Sequence, residues 1–333
     1  MQLNEEDRQR RGLENRPTTI VSFQEKLEAR QQAADSDVCL GLDSDLGQIP
    51  DFLKRGKFAS ESMTSFNMQI MKEVHPYISV IKPNSAFYEA RGIEGQKALR
   101  TTVKSIKRQY PDIPVILDAK RGDIGNTNEQ YAMAVFDEVD ADAVTLHPTT
   151  GSSYFKDQEL ILGALEPFLR RKDKGIFILC RTSNPDAGQF QDLPIPLREI
   201  PPEYKERYGD LTELGEIMES HTVPLYLVTA YVASRFWNVN GNVSVIAGAI
   251  YPEQLGFIRK VVGDMLILVP GIGKQQGDLE GTIRLGKNSN GRGMIINSSS
   301  GIIFASDGED FAMAARDQAM GLRDRIRELK QTA

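Results

Sequence analysis

The stretch that decides the fold is VILDAKRGDIGNT, residues 115–127. In it an apolar run leads into Asp118, Lys120 and Asp123, and a glycine-containing turn follows. Asp and Lys are poor strand formers, so their place at the end of a buried strand indicates a site rather than a core position. Because side chains two apart on a strand share a face, we expect Asp118 and Lys120 to point the same way. Thr127 is expected to cap the helix that follows.

Short apolar runs of the same kind recur along the chain, separated by longer amphipathic segments. Runs rich in Val and Ile that lack polar alternation are typical of parallel strands covered on both faces. Strands are predicted at residues 38–42, 78–82, 114–119, 143–146, 176–180, 243–248, 266–269 and 294–297. Helices are predicted at residues 22–32, 60–74, 94–108, 128–138, 152–165, 211–236, 252–262 and 310–329.

This alternation of strands and helices predicts an α/β protein with a single (β/α)8 domain, a TIM barrel. The rival, a doubly wound open sheet, would need a glycine-rich fingerprint after the first strand, and GLDSDLGQIP at residues 41–50 lacks one. The barrel domain is predicted to span residues 21–333, after a polar tail at residues 1–20. A proline-rich stretch at residues 189–208 is predicted to be a surface excursion.

Composition limits the classes of function. The chain has 333 residues, 40% hydrophobic and 26% charged, as expected for a globular protein. Its formal net charge of -6 argues against nucleic-acid and anionic membrane binding. The N-terminal segment has no apolar core of a secretory signal, and no apolar run approaches the ~18 residues of a membrane span. Cys39 and Cys180 are predicted to be buried thiols. We therefore expect a cytoplasmic protein that binds neither membrane nor nucleic acid.

Charged side chains recur at the carboxyl ends of the predicted strands, where barrel enzymes place catalysis. Lys82 ends the second strand beside Asp118, Lys120 and Asp123 of the third, which predicts an alternating array, and His147 ends the fourth. A salt-bridge network that fixes strand register is the structural alternative, but desolvation offsets much of its attraction. The functional interpretation is that carboxylates keep a lysine protonated in a dry pocket. Each pair interacts by about 4 kcal/mol at ~4 Å and an effective dielectric of ~20.

The same residues carry a resemblance to a known family. LDAKRGDIGNT, residues 117–127, resembles the D-x-K-x-x-D-I-x-x-T signature of the orotidine 5'-phosphate decarboxylase family. Further stretches are similar to that family in the same order, namely CLGLDSD, VIKPNSAFYE, CRTSNPDAG, VIAGAIYPEQL and LVPGIGKQQGD. The resemblance runs from about residue 23 to about residue 307 and is to the bacterial-type branch, which has AKRGD in the third strand.

The resemblance implies a homodimer that decarboxylates orotidine 5'-phosphate to UMP in pyrimidine biosynthesis, with no metal and no organic cofactor. Lys120 would deliver the proton to C6 of the pyrimidine, and Asp118 would lie next to the substrate carboxylate. Asp123 and Thr127 would reach into the active site of the other subunit, so that the two sites are shared.

The remaining implied contacts hold the substrate. Asp43 and Lys82 would hold the ribose, with Lys82 also bonded to Asp118. Ser183 would bond the amide edge of the pyrimidine, and Gln275 would bridge the base and the phosphate.

The phosphate end departs from the family pattern. The loop PGIGKQQGD has glycines, Gly273 among them, whose backbone N–H groups are expected to cradle phosphate. After the eighth strand the family usually has an arginine, but this chain reads NSSSGIIFA and has Ser300 there. Arg292 begins that strand, at the wrong end of the barrel, so Lys274 is the candidate replacement, with a solvated surface lysine as the alternative. Gln276 replaces a family glycine, and its side chain would narrow the loop or force a different backbone path.

Three other functions stay open. A nucleotide-binding degenerate homologue would keep the pocket and turn over weakly, although the Lys82, Asp118 and Lys120 set argues against it. A magnesium-dependent sugar-phosphate decarboxylase uses a similar D-x-K-x-x-D, although RTSNP and Gln275 favour a nucleotide. A Schiff-base aldolase would need a neutral lysine, which a cage of carboxylates opposes.

Overall fold

A ring of parallel strands forms the centre of the molecule, for which the computed structural model describes residues 21–156, 159–209, 211–273 and 277–332. The ring strands, β1 to β8, lie at Val38–Leu42, Val80–Pro83, Ile116–Arg121, Ala143–Leu146, Gly175–Arg181, Val243–Ala247, Ile267–Pro270 and Met294–Ser298. They are hydrogen-bonded in the order β2-β1-β8-β7-β6-β5-β4-β3. Isolated parallel bridges, Ile81 to Val115 and Asn84 to Asp118, join β2 to β3. The predicted (β/α)8 barrel is therefore confirmed.

Helices surround the ring and follow its strands along the chain. The longer α-helices span Phe23–Ala34, Ala59–Val74, Gly92–Gln109, Gly125–Met133, Leu225–Val232, Pro252–Val262, Leu279–Gly286 and Phe311–Thr332. Shorter ones span Asp51–Lys54, Ser85–Glu89, Glu166–Leu169, Gly188–Gln191, Pro202–Tyr208, Thr212–Met218 and Ser300–Ile303. Single 3₁₀ or π turns occupy His75–Tyr77, Ala134–Glu138, Pro185–Ala187, Leu197–Glu199 and Ala233–Trp237.

Alternate side chains of each strand pack into two separate layers. Those that face outward join the helices in one large cluster, in which Cys180 is buried. Those that face inward fill the ring itself, namely Cys39, Val80, Ile116, Ala143, Phe177, Leu179, Ile246, Leu268 and Ile295. Both cysteines are buried free thiols, as predicted. Since both faces of the strands are covered, near-continuous apolar runs are what the fold requires.

The helix Phe23–Ala34, predicted at residues 22–32, closes the amino-terminal end of the ring. Phe23 and Leu27 enter the inner layer, and the Phe23 ring meets Phe177 edge to face at 5.6 Å. The helix starts at a capping box, in which Ser22 Oγ accepts from the Glu25 N–H at 3.2 Å and the Glu25 carboxylate accepts from the Ser22 N–H at 2.8 Å. A sealed floor leaves the opposite end of the ring as the place for a site.

Two helix predictions are wrong. Residues 152–165 contain an antiparallel hairpin of Tyr154–Lys156 with Glu159–Ile161. A Cβ at Gly163 would collide with the Ser152 backbone, so a fold-back that only glycine permits replaces the helix.

Residues 211–236 are likewise not one helix. The helix Thr212–Met218 ends at Glu219, whose φ of 52° is left-handed. The strand Thr222–Pro224 follows and pairs with Pro194–Pro196. The surface excursion predicted at residues 189–208 therefore runs on through this second hairpin.

The predicted tail at residues 1–20 lies outside the described residues. Within the described ranges, none of the helices combines the length and the apolar composition needed to cross a bilayer.

Candidate active site

A cleft of about 560 Å³ opens at the carboxyl ends of the strands. That volume falls within the ~300–1,000 Å³ usual for small-molecule sites. Its walls come from the loops after most of the strands, and inner-layer side chains of Leu179, Ile246 and Leu268 form its floor. This is the end of the barrel at which enzymes of this architecture act.

Two lysines and one aspartate meet at the side of the cleft formed by β2 and β3. Lys82 Nζ lies 2.7 Å from Asp118 Oδ2, and Lys120 Nζ lies 2.6 Å from Asp118 Oδ1. The Thr145 hydroxyl also donates to Asp118 Oδ1 at 2.9 Å. Lys82 and Asp118 are buried, whereas the Lys120 side chain is 45% exposed and lines the cleft. The cluster therefore presents the ammonium group of Lys120 to a ligand in the cleft.

The surroundings of Asp118 and Lys82 favour the charged form of both groups. Burial by itself would raise the pKa of Asp118, but the ammonium groups of Lys82 and Lys120 hold it well below its ordinary value. Burial would likewise lower the pKa of Lys82, but the carboxylates of Asp118 and Asp43 outweigh it and the pKa is raised. Each group therefore keeps its charge because its neighbours keep theirs.

The backbone at Lys120 differs from the regular strand that the sequence suggested. Lys120 has a φ of 46°, in the left-handed region, and the pairing of β3 with β4 shifts register between Leu117 and Arg121. Thr145 Oγ1 accepts the Lys120 N–H at 3.0 Å. Asp118 and Lys120 do meet, as predicted, but through a strained bulge rather than through simple alternation.

Asp43 lies at the end of β1 on the same side of the cleft. Burial raises the pKa of its carboxyl above the ordinary value, against the pull of Lys82. Its Oδ1 is buried and accepts no hydrogen bond from the described residues. A buried acceptor without a donor is costly, so a ligand hydroxyl is a fitting partner for it.

Asp123 and Thr127 lie outside the cleft of their own chain. Asp123 packs in the turn after β3, where its backbone N–H donates to Asn128 Oδ1 at 3.0 Å and its carbonyl accepts from Asn128 Nδ2 at 2.6 Å. Thr127 is the third residue of Gly125–Met133, whose N-cap is Ile124, so its predicted capping role is wrong. The four-member array of the sequence prediction is thus a three-member cluster within one chain. Ile124 beside it is 63% exposed.

Ser183 lines the cleft on the opposite side, in the loop after β5. Gly248, just past the end of β6, supports it, because a Cβ added there would lie 3.0 Å from Ser183 Cα. The close approach explains a glycine at that position.

The predicted phosphate end is described only in part. Gly271 and Gly273 follow β7 with φ angles of 104° and 103°, which favour glycine. Gly271 and Ser300 line the cleft. Lys274 and Gln275, together with Gln276, lie outside the described residues. Arg292 precedes β8 and lines a surface hollow at the amino-terminal end of the barrel, as predicted.

Several cleft residues escaped the sequence prediction. Thr145 interrupts the apolar run of β4, and a polar residue facing inward was a usable signal. Asn84 and Asn297 also line the cleft, directly after or within strands. His147, noted in the sequence as a residue that ends β4, lines it too, and burial followed by Lys120 lowers its pKa.

Fold and site together define a (β/α)8-barrel enzyme with a lysine–carboxylate–lysine cluster at its catalytic rim. Among the described residues, no three His, Cys, Asp or Glu side chains are grouped to hold a metal ion. The model of the orotidine 5'-phosphate decarboxylase / HUMPS family matches residues 36–315. The chain belongs to this family.

Known proteins are similar over most of the chain. The orotidine 5'-phosphate decarboxylase of Cellvibrio japonicus (strain Ueda107) is 38% identical over 282 residues, which cover 85% of this chain and 89% of that protein. The solved structure of Leishmania donovani OMP decarboxylase superposes with a TM-score of 0.71 at 32% identity, covering 94% of this chain and 100% of the other. Leishmania donovani UMP synthase gives a TM-score of 0.72 at 31% identity over 93% of this chain, which spans 56% of that protein.

Proposed function

We propose that this chain decarboxylates orotidine 5'-phosphate to UMP in pyrimidine biosynthesis. The observation that carries the proposal is the Asp118 carboxylate held between two ammonium groups, at 2.7 Å from Lys82 and 2.6 Å from Lys120. Membership of the family and the names of the similar proteins support it. It needs neither a metal nor an organic cofactor.

In the proposed reaction the bond between C6 and the carboxylate breaks and carbon dioxide departs. The electron pair of the broken bond stays on C6. Lys120 then gives an Nζ proton to that carbon. A carbanion of this kind has no conventional electron sink, so preorganised positive charge in a water-poor site must stabilise it. Of Lys82 and Lys120, which both line the cleft, Lys120 is the more exposed, and Asp118 keeps it oriented.

Lys82 and Asp43 take the ribose in this proposal. Lys82 Nζ is anchored by Asp118 and has further N–H donors for a hydroxyl. The Asp43 Oδ1 without a donor would accept from a ribose hydroxyl. Ser183 would bond the amide edge of the base, and Gln275 would bridge the base and the phosphate.

The proposed working form is a cytoplasmic homodimer built from barrel domains of residues 21–333. Asp123 and Thr127 lie outside the cleft of their own chain, and the neighbouring Ile124 is exposed, so this turn is free to enter a partner. There Asp123 would add a second carboxylate beside Lys120.

For the phosphate we propose the backbone of Gly273, the side chain of Ser300 and the cation of Lys274. Lys274 would replace the charge that the family's arginine supplies. The Michaelis constant of Lys274→Ala tests this role, and an unchanged value would exclude it.

One assay tests the proposed reaction. The protein is incubated with orotidine 5'-phosphate and the loss of its ultraviolet absorbance is followed with and without a chelator. Loss that the chelator does not affect supports the proposal. Activity that the chelator abolishes would indicate a magnesium-dependent relative, and binding without turnover would indicate a degenerate homologue.

A further inference from the structure

The loop that follows β5, residues 182–191, forms a large part of the cleft wall. It contributes Ser183, Asn184 and Phe190 to the lining, and the Phe190 side chain is 71% exposed. Of the residues in this loop only Ala187 is buried. Apolar packing of its own therefore cannot fix the position of the loop.

An ion pair holds the loop at its base. Arg181, the last residue of β5, is 3% exposed. Its Nε and Nη2 bind the two carboxylate oxygens of Asp192 at 2.8 and 3.0 Å, and its Nη1 donates to the Thr182 carbonyl at 2.9 Å. The guanidinium also lies 4.1 Å from the centre of the Tyr251 ring. This two-pronged, stacked geometry is specific to arginine.

A second contact ties the same two ends together. The Thr182 N–H donates to Gln191 Oε1 at 2.8 Å, and Gln191 Nε2 donates to the Thr182 hydroxyl at 3.1 Å. The loop is therefore closed at its neck, where residues 181 and 182 meet residues 191 and 192. Closing a loop in this way restricts the movement of its two ends relative to each other.

We propose that Arg181 is a positioning residue that, through Asp192, sets the place of Ser183 and Phe190 over the substrate. The inference rests on the proposed function for its substrate. Arg181 itself does not line the cleft, so it acts on the ligand only through the loop. Ser183 is two residues from the guanidinium and is pressed against Gly248, so a small shift of the neck displaces it.

The test is Asp192→Asn, which keeps the shape of the side chain and removes its charge. Asp192 is 42% exposed, so the substitution buries no new polar group. We expect KM for orotidine 5'-phosphate to rise about tenfold, with kcat changing less, since losing a contact that the substrate and the transition state share raises KM alone. Hydrogen exchange at the backbone amides of residues 182–191 should become at least about tenfold faster. Asp192→Glu, which keeps the charge, should recover part of both effects.

The matched control is Glu213→Gln. It breaks an exposed ion pair with Arg235, 2.9 Å long, in the same excursion but away from the cleft. It should leave KM and the exchange of residues 182–191 unchanged. An Asp192→Asn protein with unchanged KM, or one with raised KM and unchanged exchange in the loop, would overturn the proposal. If the unmodified protein does not turn over orotidine 5'-phosphate, the proposed function fails, and the exchange data alone decide whether the ion pair orders the loop.

Discussion

Two buried cations at opposite ends of the barrel, Lys82 and Arg259, are neutralised in different ways. Lys82 is 3% exposed at the catalytic rim and binds the Asp118 carboxylate. Arg259 is 8% exposed at the amino-terminal ends of β7 and β8. Its guanidinium donates at 2.6 to 2.7 Å to backbone carbonyls, those of Gly263, Met265, Gly286 and Gly293.

The pKa values of these two cations shift in opposite directions. At Arg259 burial prevails over the attraction of the exposed Asp264 and lowers the pKa to about 10. At Lys82 burial is outweighed by Asp118 and Asp43, and the pKa is raised. The backbone carbonyls around Arg259 accept its hydrogen bonds and link neighbouring loops. The carboxylates around Lys82 instead stabilise a positive charge beside the cleft. The contrast distinguishes a cation held by backbone carbonyls from the cation that we propose to act at the cleft.

The largest expected effect concerns the cleft at the carboxyl ends of the strands. Lys120→Ala removes the proposed proton donor, and we expect kcat/KM to fall by about a hundredfold to ten-thousandfold, which is ~3 to 5.5 kcal/mol of transition-state stabilisation. The melting temperature should fall less than in Lys82→Met, because the Lys120 side chain is 45% exposed and Lys82 still binds Asp118. Lys57→Ala, at an exposed lysine outside the cleft lining, should leave activity intact. If Lys120→Ala keeps more than about a tenth of the activity, the proposed donor is wrong.

The next effect concerns Arg259, at the amino-terminal end of the barrel. Arg259→Met leaves the bonded carbonyls without a donor, and we expect the free energy of unfolding to fall by about 4 kcal/mol. Urea denaturation measures it. Activity per folded molecule should stay unchanged, since Arg259 lies at the other end of the barrel. Arg325→Met, which breaks an exposed pair with Glu328, should change stability by less than about 0.5 kcal/mol. A loss of kcat in folded Arg259→Met would contradict the division between the two ends.

The cluster at the rim should also contribute to stability, within a defined pH window. Lys82→Met removes one of the two cations on Asp118, and we expect a loss of about 2 kcal/mol, less than for a fully orphaned buried charge. Because the pKa of Asp118 is lowered from its ordinary value of 3.8, its ionised carboxylate contributes fully to stability above pH 3.8. That contribution is lost as the pH falls through the pKa of Asp118 in the folded protein. Because the pKa of Lys82 is raised from its ordinary value of 10.5, its ammonium group contributes fully to stability below pH 10.5. That contribution is lost as the pH rises through the pKa of Lys82 in the folded protein.

The difference in unfolding free energy between the unmodified protein and Lys82→Met should therefore be constant between about pH 5 and pH 9. Denaturation curves at several pH values in that range measure it. A difference that changes steadily across the range would mean that Asp118, Lys82 or Asp43 titrates there, since Lys82 also opposes the raised pKa of Asp43.

The smallest effect is expected from a substitution that adds a cation to the cleft. Ser300→Arg should lower KM for orotidine 5'-phosphate by about tenfold, since a charge-assisted contact with phosphate contributes about 1.4 kcal/mol. The gain should shrink at high salt. A ligand without the phosphate serves as control, and its affinity should not change. Equal gains for both ligands would show that the new side chain acts elsewhere.

The sequence predicted the ring well because strand position follows from local composition. β1 and β4 begin and end where their apolar runs do, and the helix Pro252–Val262 begins at its proline. The failures lie where contacts distant in sequence decide the backbone. Gly163 folds back on Ser152, which the periodicity of that segment does not reveal. Pro224, in contrast, was a visible signal against a helix over residues 211–236.

The candidate site was predicted in part for the same reason. Lys82, Asp118 and Lys120 share neighbouring strand ends, so strand order alone brings them together. The left-handed backbone of Lys120 and the support from Thr145 arise from the bulge between β3 and β4, which no local pattern encodes. The ion pair of Arg181 with Asp192 spans a loop whose path the sequence does not fix.

The φ of 46° at Lys120 has a consequence for the choice of residue there. A non-glycine residue in that conformation costs about 1–3 kcal/mol, and glycine would relieve it. Relief of this backbone strain alone would therefore favour Lys120→Gly, but the same change removes a cation bound to Asp118 and the proposed proton donor. At position 120 the backbone conformation and the proposed proton transfer therefore favour different residues.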